Sequence, residues 1–151
     1  QRVLLNTDAS ALPGVPRLTL HVGLPHTATP QQMRDAVQAW LMRQAKRLFT
    51  ERLEHYAPLL GVQWRKLSLS SAGTRWGSAS ASGAIRLNWR LVMGRPEALH
   101  YVVVHELMHL RHHNHSRAFW NDLALAFPDF KTEAVWLRQN ERDLLRWKPL
   151  I

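Results

Sequence analysis

Tyr101-Val102-Val103-Val104-His105-Glu106-Leu107-Met108-His109-Leu110 is the stretch whose reading decides the fold. An apolar run leads into H-E-x-x-H, and Leu107 and Leu110 continue the apolar spacing. Helical positions four apart lie on one face, about 40° apart around the axis. His105 and His109 can therefore reach one metal ion, and Glu106 between them can approach a water on that ion. That is the zinc-hydrolase arrangement, with two His ligands and a Glu general base. The plain alternative is a pair of solvated histidines on a surface helix. The apolar surroundings argue against it, because a helix this apolar is buried and buried polar groups need partners.

Working outward, 151 residues suit one domain with a real core, and 46% apolar content fits a globular chain. The absence of cysteine removes disulfides, thiol nucleophiles and Cys-based zinc modules. It suits a reducing compartment, and with no signal-peptide pattern and no apolar run of membrane-spanning length, a cytoplasmic location is expected. The formal charge is +9, sixteen of the 20 basic residues being arginine. Such a balance points to polyanionic partners such as nucleic acid or nucleotide phosphate, or to a basic surface kept for solubility.

Residues 1–16 read as a loose lead-in ending in the turn signal Pro13-Gly14-Val15-Pro16, and 17–151 as the single domain. Arg17 to Val22 alternates as a strand. Thr29-Pro30-Gln31-Gln32 is a helix start with a capping box, and the helix should run to about Tyr56. Trp64, Leu67 and Leu69 suggest a strand, and Thr74 to Ser78 a second that Gly77 makes irregular. A turn at Ser80 to Gly83 and a third strand at Ala84 to Trp89 follow. Pro96 opens the motif helix, which should end within Arg111 to Asn114. Ser116 caps a further helix to about Phe127, and Pro128-Asp129 begins the last, to about Arg146. Trp40 and Trp64 read as core. The order describes an α+β domain.

Catalytic zinc usually takes three protein ligands. His112 would share the face of His105 and His109 if the helix continued unbroken. His115, six residues after His109, instead has the spacing of the third ligand in H-E-x-x-H-x-x-G-x-x-H, with Asn114 able to make a left-handed reversal.

Several segments occur together in one order. They are Arg75-Trp76-Gly77-Ser78, Ile85-Arg86-Leu87-Asn88-Trp89-Arg90-Leu91, Val104 to Leu110, Asn114-His115-Ser116 and Phe119-Trp120. In this the chain resembles the YgjP-like family of small bacterial metallopeptidase domains, in the WLM/SprT-like neighbourhood of the zincins, over about residues 15 to 148. The resemblance implies a minimal zincin-like fold. In it a long N-terminal helix and a small, three- to four-stranded, mainly antiparallel sheet pack around the H-E-x-x-H helix, with C-terminal helices. It implies one Zn2+ held by His105, His109 and His115, with Glu106 as base. Ala79 stands where family members often carry Cys, which argues against a redox or structural-metal role there.

Arg75, Trp76, Arg86 and Tyr101 are the candidate substrate-binding residues, and Arg75, Arg86 and Tyr101 candidates for stabilising an oxyanion. For each the plain reading is a solvated strand face or, for Tyr101 and the tryptophans, packing. The expected function is a zinc-dependent metallopeptidase acting on a peptide or protein, and analogy with SprT-like relatives extends this to proteins associated with nucleic acid. The irregular strand from Arg75 could pair with an extended peptide. An alternative is a nucleotide pyrophosphohydrolase with Arg75, Arg86 and Arg90 as phosphate clamps, which needs a pocket of convergent arginines. A third is a non-catalytic, zinc-stabilised binding module.

Overall fold

A computed structural model describes residues 3–6, 19–22, 24 and 27–149. Strands β1 (Val3–Asn6) and β2 (Thr19–Val22) pair antiparallel, Val3 opposite Val22 and Asn6 opposite Thr19. The strand expected at Arg17 to Val22 is thus present over its last four residues, and β1 lies where no element was expected. The Pro13–Pro16 turn signal falls outside the described residues.

Helix α1 (Pro30–Leu60) starts where its sequence says. Thr29 accepts from the Gln32 N–H at 3.1 Å, and the Gln32 side chain accepts from the Thr29 N–H at 2.8 Å. The helix continues one turn past Tyr56, through Pro58, because Ala57 and Leu60 are buried there. It stops at Gly61, whose φ of 68° is the left-handed cap conformation that favours glycine. The Gly61 and Val62 N–H groups close back on Pro58 and Ala57.

Three strands follow: β3 (Lys66–Ser70), β4 (Gly77–Ala79) and β5 (Ala84–Asn88). Their order is β3-β5-β4. The sheet is mixed rather than mainly antiparallel: β4 and β5 form a tight hairpin, but β3 runs parallel to β5. A hairpin turn fixes antiparallel pairing only between the strands it joins. Residues 71–76 cross over to the far edge and leave β3 on the opposite side of β5. The strand expected from Thr74 therefore begins only at Gly77. Ile85 and Leu87 face the core, while Arg86 between them is exposed.

Asn88 ends β5 and starts a short 3-10 helix (Trp89–Met93) by accepting from the Arg90 N–H at 3.0 Å. Helix α2 (Pro96–Met108) then passes through the centre of the molecule. Leu99, Val103, Val104, Leu107 and Met108 are buried in one core with Phe49 and Leu53 of α1 and Leu87 of β5. Helices α3 (Arg117–Ala126) and α4 (Phe130–Leu144) complete the fold, packed on α2. Trp40 and Trp64 are partly buried against the core. Among the described residues no helix is long and apolar enough to cross a membrane.

Candidate metal centre

Helix α2 ends earlier than expected, at Met108. Beyond it the backbone tightens into three-residue steps: Leu110 N–H donates to Leu107 O at 2.9 Å and Arg111 N–H to Met108 O at 3.0 Å. The His112 N–H still closes on Met108 O at 3.0 Å, but its ring turns to α3 and does not join His105 and His109. Its Nε2 lies 2.6 Å from Asp122 Oδ2 on α3, where Arg111 also reaches at 3.3 Å. The chain then reverses into α3 without any left-handed residue, so Asn114 does not make the turn in the way its type suggested. Ser116 sets the new direction by capping α3, accepting from the Phe119 N–H at 3.3 Å.

That reversal brings His115 back over the helix. The nitrogens of His105, His109 and His115 lie within 4.8 Å of one another, and Nε2 of His109 is 3.0 Å from Nε2 of His115. Nitrogens about 2.0–2.1 Å from a tetrahedral ion sit roughly 3.3–3.4 Å apart, so the His109–His115 pair stands near that spacing and the widest separation would have to close by up to about 1.4 Å around an ion. The tautomer fits as well. Nδ1 of His109 is 3.2 Å from the His112 carbonyl, which can only accept. The proton therefore sits on Nδ1, and Nε2 keeps its lone pair for a metal. Burial, and then the neighbouring His105, hold the His109 pKa below its ordinary 6.5, against a smaller opposing pull from Glu106. An uncharged ring is the form that ligates.

Phe119, fully buried, backs all three rings, with centroids 5.2, 4.7 and 5.0 Å from His105, His109 and His115. Trp120 stacks on His115 at 5.5 Å and on Phe130 at 5.7 Å. Both residues were part of the sequence pattern, but nothing in it showed that they form the wall behind the ligands.

Glu106 is buried, its Oε2 3.3 Å from His105 Nδ1. It opens onto a cleft of about 460 Å³ that His105, Tyr101, Gly77, Trp76 and Arg75 also line. Gly77 is where the sheet edge meets it. A Cβ there would lie 2.9 Å from the Arg86 carbonyl oxygen, 3.0 Å from Leu87 and 3.1 Å from Glu106 Cγ. Glycine inside a strand signals such a close approach. Tyr101 is buried between His105 and Phe127, ring centroids 5.8 and 6.0 Å away. Burial, then the nearby Glu106, push its hydroxyl up to about 12, so it stays a neutral donor.

The remaining candidates divide. Arg75 and Trp76 line the cleft, whereas Arg86 is exposed on the sheet face turned from the core and does not. Arg90 is buried over the Trp89 ring at 4.5 Å. Its Nε donates to Trp147 O at 3.0 Å and its NH1 to Ser71 O at 3.1 Å. The arginines named as phosphate clamps therefore do not converge. Arg90 instead shares a structural task with Asn88, whose Nδ2 donates to Ala72 O at 2.7 Å, and Trp89, whose Nε1 donates to Ser71 Oγ at 2.6 Å. Together they pin the 71–76 crossover that carries Arg75 and Trp76. Sequence reasoning missed the α4 wall, from which Leu137, Arg138 and Glu141 face the same cleft. No local signal marks an amphipathic helix face as active-site lining.

A family model described as the YgjP-like metallopeptidase domain matches residues 15–140. Among solved structures, the metallopeptidase zymogen of Pyrococcus abyssi abylysin is similar, with a TM-score of 0.55 and 25% identity over 62% of this chain and 96% of that one. The metallopeptidase zymogen of Methanocaldococcus jannaschii jannalysin shares the fold, with a TM-score of 0.54 and 22% identity over 61% of this chain and 95% of that one. No curated protein matches the chain.

Proposed function

Because the chain belongs to the YgjP-like metallopeptidase domain family, we propose that it hydrolyses peptide bonds with one zinc ion on His105, His109 and His115 and with Glu106 as general base. The observation that carries this reading is the convergence of the three imidazole nitrogens within 4.8 Å beside a buried carboxylate that faces an open cleft. Three protein donors are the number used by catalytic zinc sites, whereas structural sites close with four. Zinc bound there supplies Lewis acidity, lowering the pKa of a water and polarising the carbonyl.

The rest is the work of this chain's own groups. Glu106 accepts the proton of the attacking water as its oxygen bonds to the carbonyl carbon. It passes that proton to the amide nitrogen as the C–N bond breaks. Tyr101, kept neutral and lining the same cleft, donates to the charge developing on the carbonyl oxygen. The β4 edge at Gly77 offers backbone groups to an extended substrate without demanding a particular sequence. The charge of +9 favours acidic proteins, or proteins held on nucleic acid, as substrates.

The test is a paired assay of metal-loaded protein against Glu106→Gln. It offers unfolded acidic and basic proteins, with and without DNA, and a set of nucleoside triphosphates. Glu106-dependent cleavage of protein is expected. Hydrolysis of triphosphates alone would retire the peptidase reading.

A further inference from the structure

Two arginines line the cleft without an ion pair among the described residues. Arg75 stands on the crossover pinned by Asn88, just before β4, and Arg138 stands on α4. Both β4 and α4 pack on α2, which makes the cleft floor with His105 and Glu106. Among the described residues neither guanidinium is held in an ion pair, although Glu141, three residues beyond Arg138, lines the same cleft. Other arginines do take available acids: Arg47 lies 3.4 Å from Glu51, Arg95 3.2 Å from Glu133 and Arg111 3.3 Å from Asp122. Among the described residues the cleft thus carries two guanidinium groups outside any ion pair, in the same lining as the carboxylates of Glu106 and Glu141.

We propose that Arg75 and Arg138 form a carboxylate-binding subsite, so that the cleft selects peptides carrying a carboxylate near the bond to be cut. This rests on the peptidase reading and names the substrate class that reading leaves open. Guanidinium matches a carboxylate with two parallel N–H···O bonds, a geometry that lysine cannot reproduce. An anionic substrate entering beside Glu106 and Glu141 meets like charge, and the two arginines offset that repulsion. A peptide carries such a group either on an Asp or Glu side chain or at its C-terminus.

The experiment measures binding to the metal-loaded Glu106→Gln protein by fluorescence anisotropy at fixed salt. Three labelled forms of one unstructured peptide are compared. The first has internal Glu residues and an amidated C-terminus, the second has Gln at those positions and the same amide, and the third is the Gln form with a free C-terminus. At least one carboxylate form is expected to bind about tenfold tighter than the neutral amide, the scale of one charge-assisted contact. Which form gains identifies the source of the carboxylate. Adding Arg138→Gln should erase the gain. Adding Arg43→Gln, an exposed charge on α1 outside the cleft, should leave it. Equal affinity for all three peptides, or equal losses from Arg138→Gln and Arg43→Gln, would overturn the subsite. In the active protein the same subsite predicts that Arg138→Gln raises KM for the preferred peptide and leaves kcat unchanged. A carboxylate preference in binding without any peptide cleavage would instead overturn only the peptidase reading.

Discussion

Helix α2 meets the cleft with side chains gripped on every side, whereas α4 and the crossover before β4 meet it with side chains held from one side only. On the floor Tyr101, Val102 and Glu106 are all buried, and His105 is packed between Phe119 and Tyr101. On the walls Arg75, Arg138 and Glu141 are exposed. The difference follows from the tasks. A metal ligand or a general base must hold its geometry to a fraction of an ångström, which packing supplies. A wall that receives a substrate must stay hydrated until the substrate arrives. Floor substitutions should therefore strike chemistry, and wall substitutions should strike selectivity.

The largest effect belongs to the floor. His105→Ala or His109→Ala should lose stoichiometric metal, and hydrolysis with it, as metal analysis of the purified proteins would show. His112→Ala should keep its metal, because that residue contributes its carbonyl rather than its ring. Metal lost from His112→Ala but kept in His115→Ala would redraw the floor. Next comes Glu106→Gln, expected to keep the metal while kcat falls about 10²–10⁴-fold. Full activity in that variant would remove Glu106 from the mechanism.

Where floor and wall touch, Gly77→Ala should cost about 1–3 kcal/mol of stability in a thermal melt, since the new methyl presses on the Arg86 carbonyl and that backbone atom cannot swing aside. An unchanged melting temperature would mean that a methyl fits between Gly77 and the Arg86 carbonyl. A smaller effect is expected at Asp122, whose pKa is held below its usual value first by the His112 hydrogen bond. Asp122→Asn loosens the turn whose carbonyl orients His109, and should weaken metal binding by up to about tenfold in chelator competition. The mildest prediction concerns pH. Burial holds His100 and His109 below 6.5 in the folded protein, so the unfolded chain takes up those protons first. The metal-free protein should therefore lose stability as pH falls through 6.5 and level off below the folded values. Melts that do not change between pH 7.5 and 5.5 would contradict that burial.

Much of the floor was readable in the residues. The apolar run before His105 announced a buried helix, Pro96 its start, and the Thr29–Gln32 pair the start of α1. These signals act within a few residues, where backbone geometry links sequence spacing to spatial spacing. Reading failed where the outcome depended on distant partners. His112 would have shared the face of His105 and His109 on an unbroken helix, but Asp122 claims it, and Arg90, a phosphate clamp only in the alternative reading, has its donors taken by Trp147 and Ser71. Arg86 was placed on a strand near the site, but pleat alternation turned it away while Ile85 and Leu87 took the core. The crossover between β3 and β4 decided the mixed sheet, and a crossover of this kind leaves no periodic trace.

By itself the sequence determined which helix carries the His105–His109 pair, which carboxylate stands between them and that the chain has an α+β order, because the spacing of residues along one helix sets its own geometry. Only the tertiary structure decided the third ligand's company, the tautomer of His109, the close approach of Gly77 to Glu106 and the presence of Arg138 in the same cleft as Arg75. Each of those depends on segments far apart in the chain coming together, and such meetings are set by the packing of the whole core rather than by any local pattern.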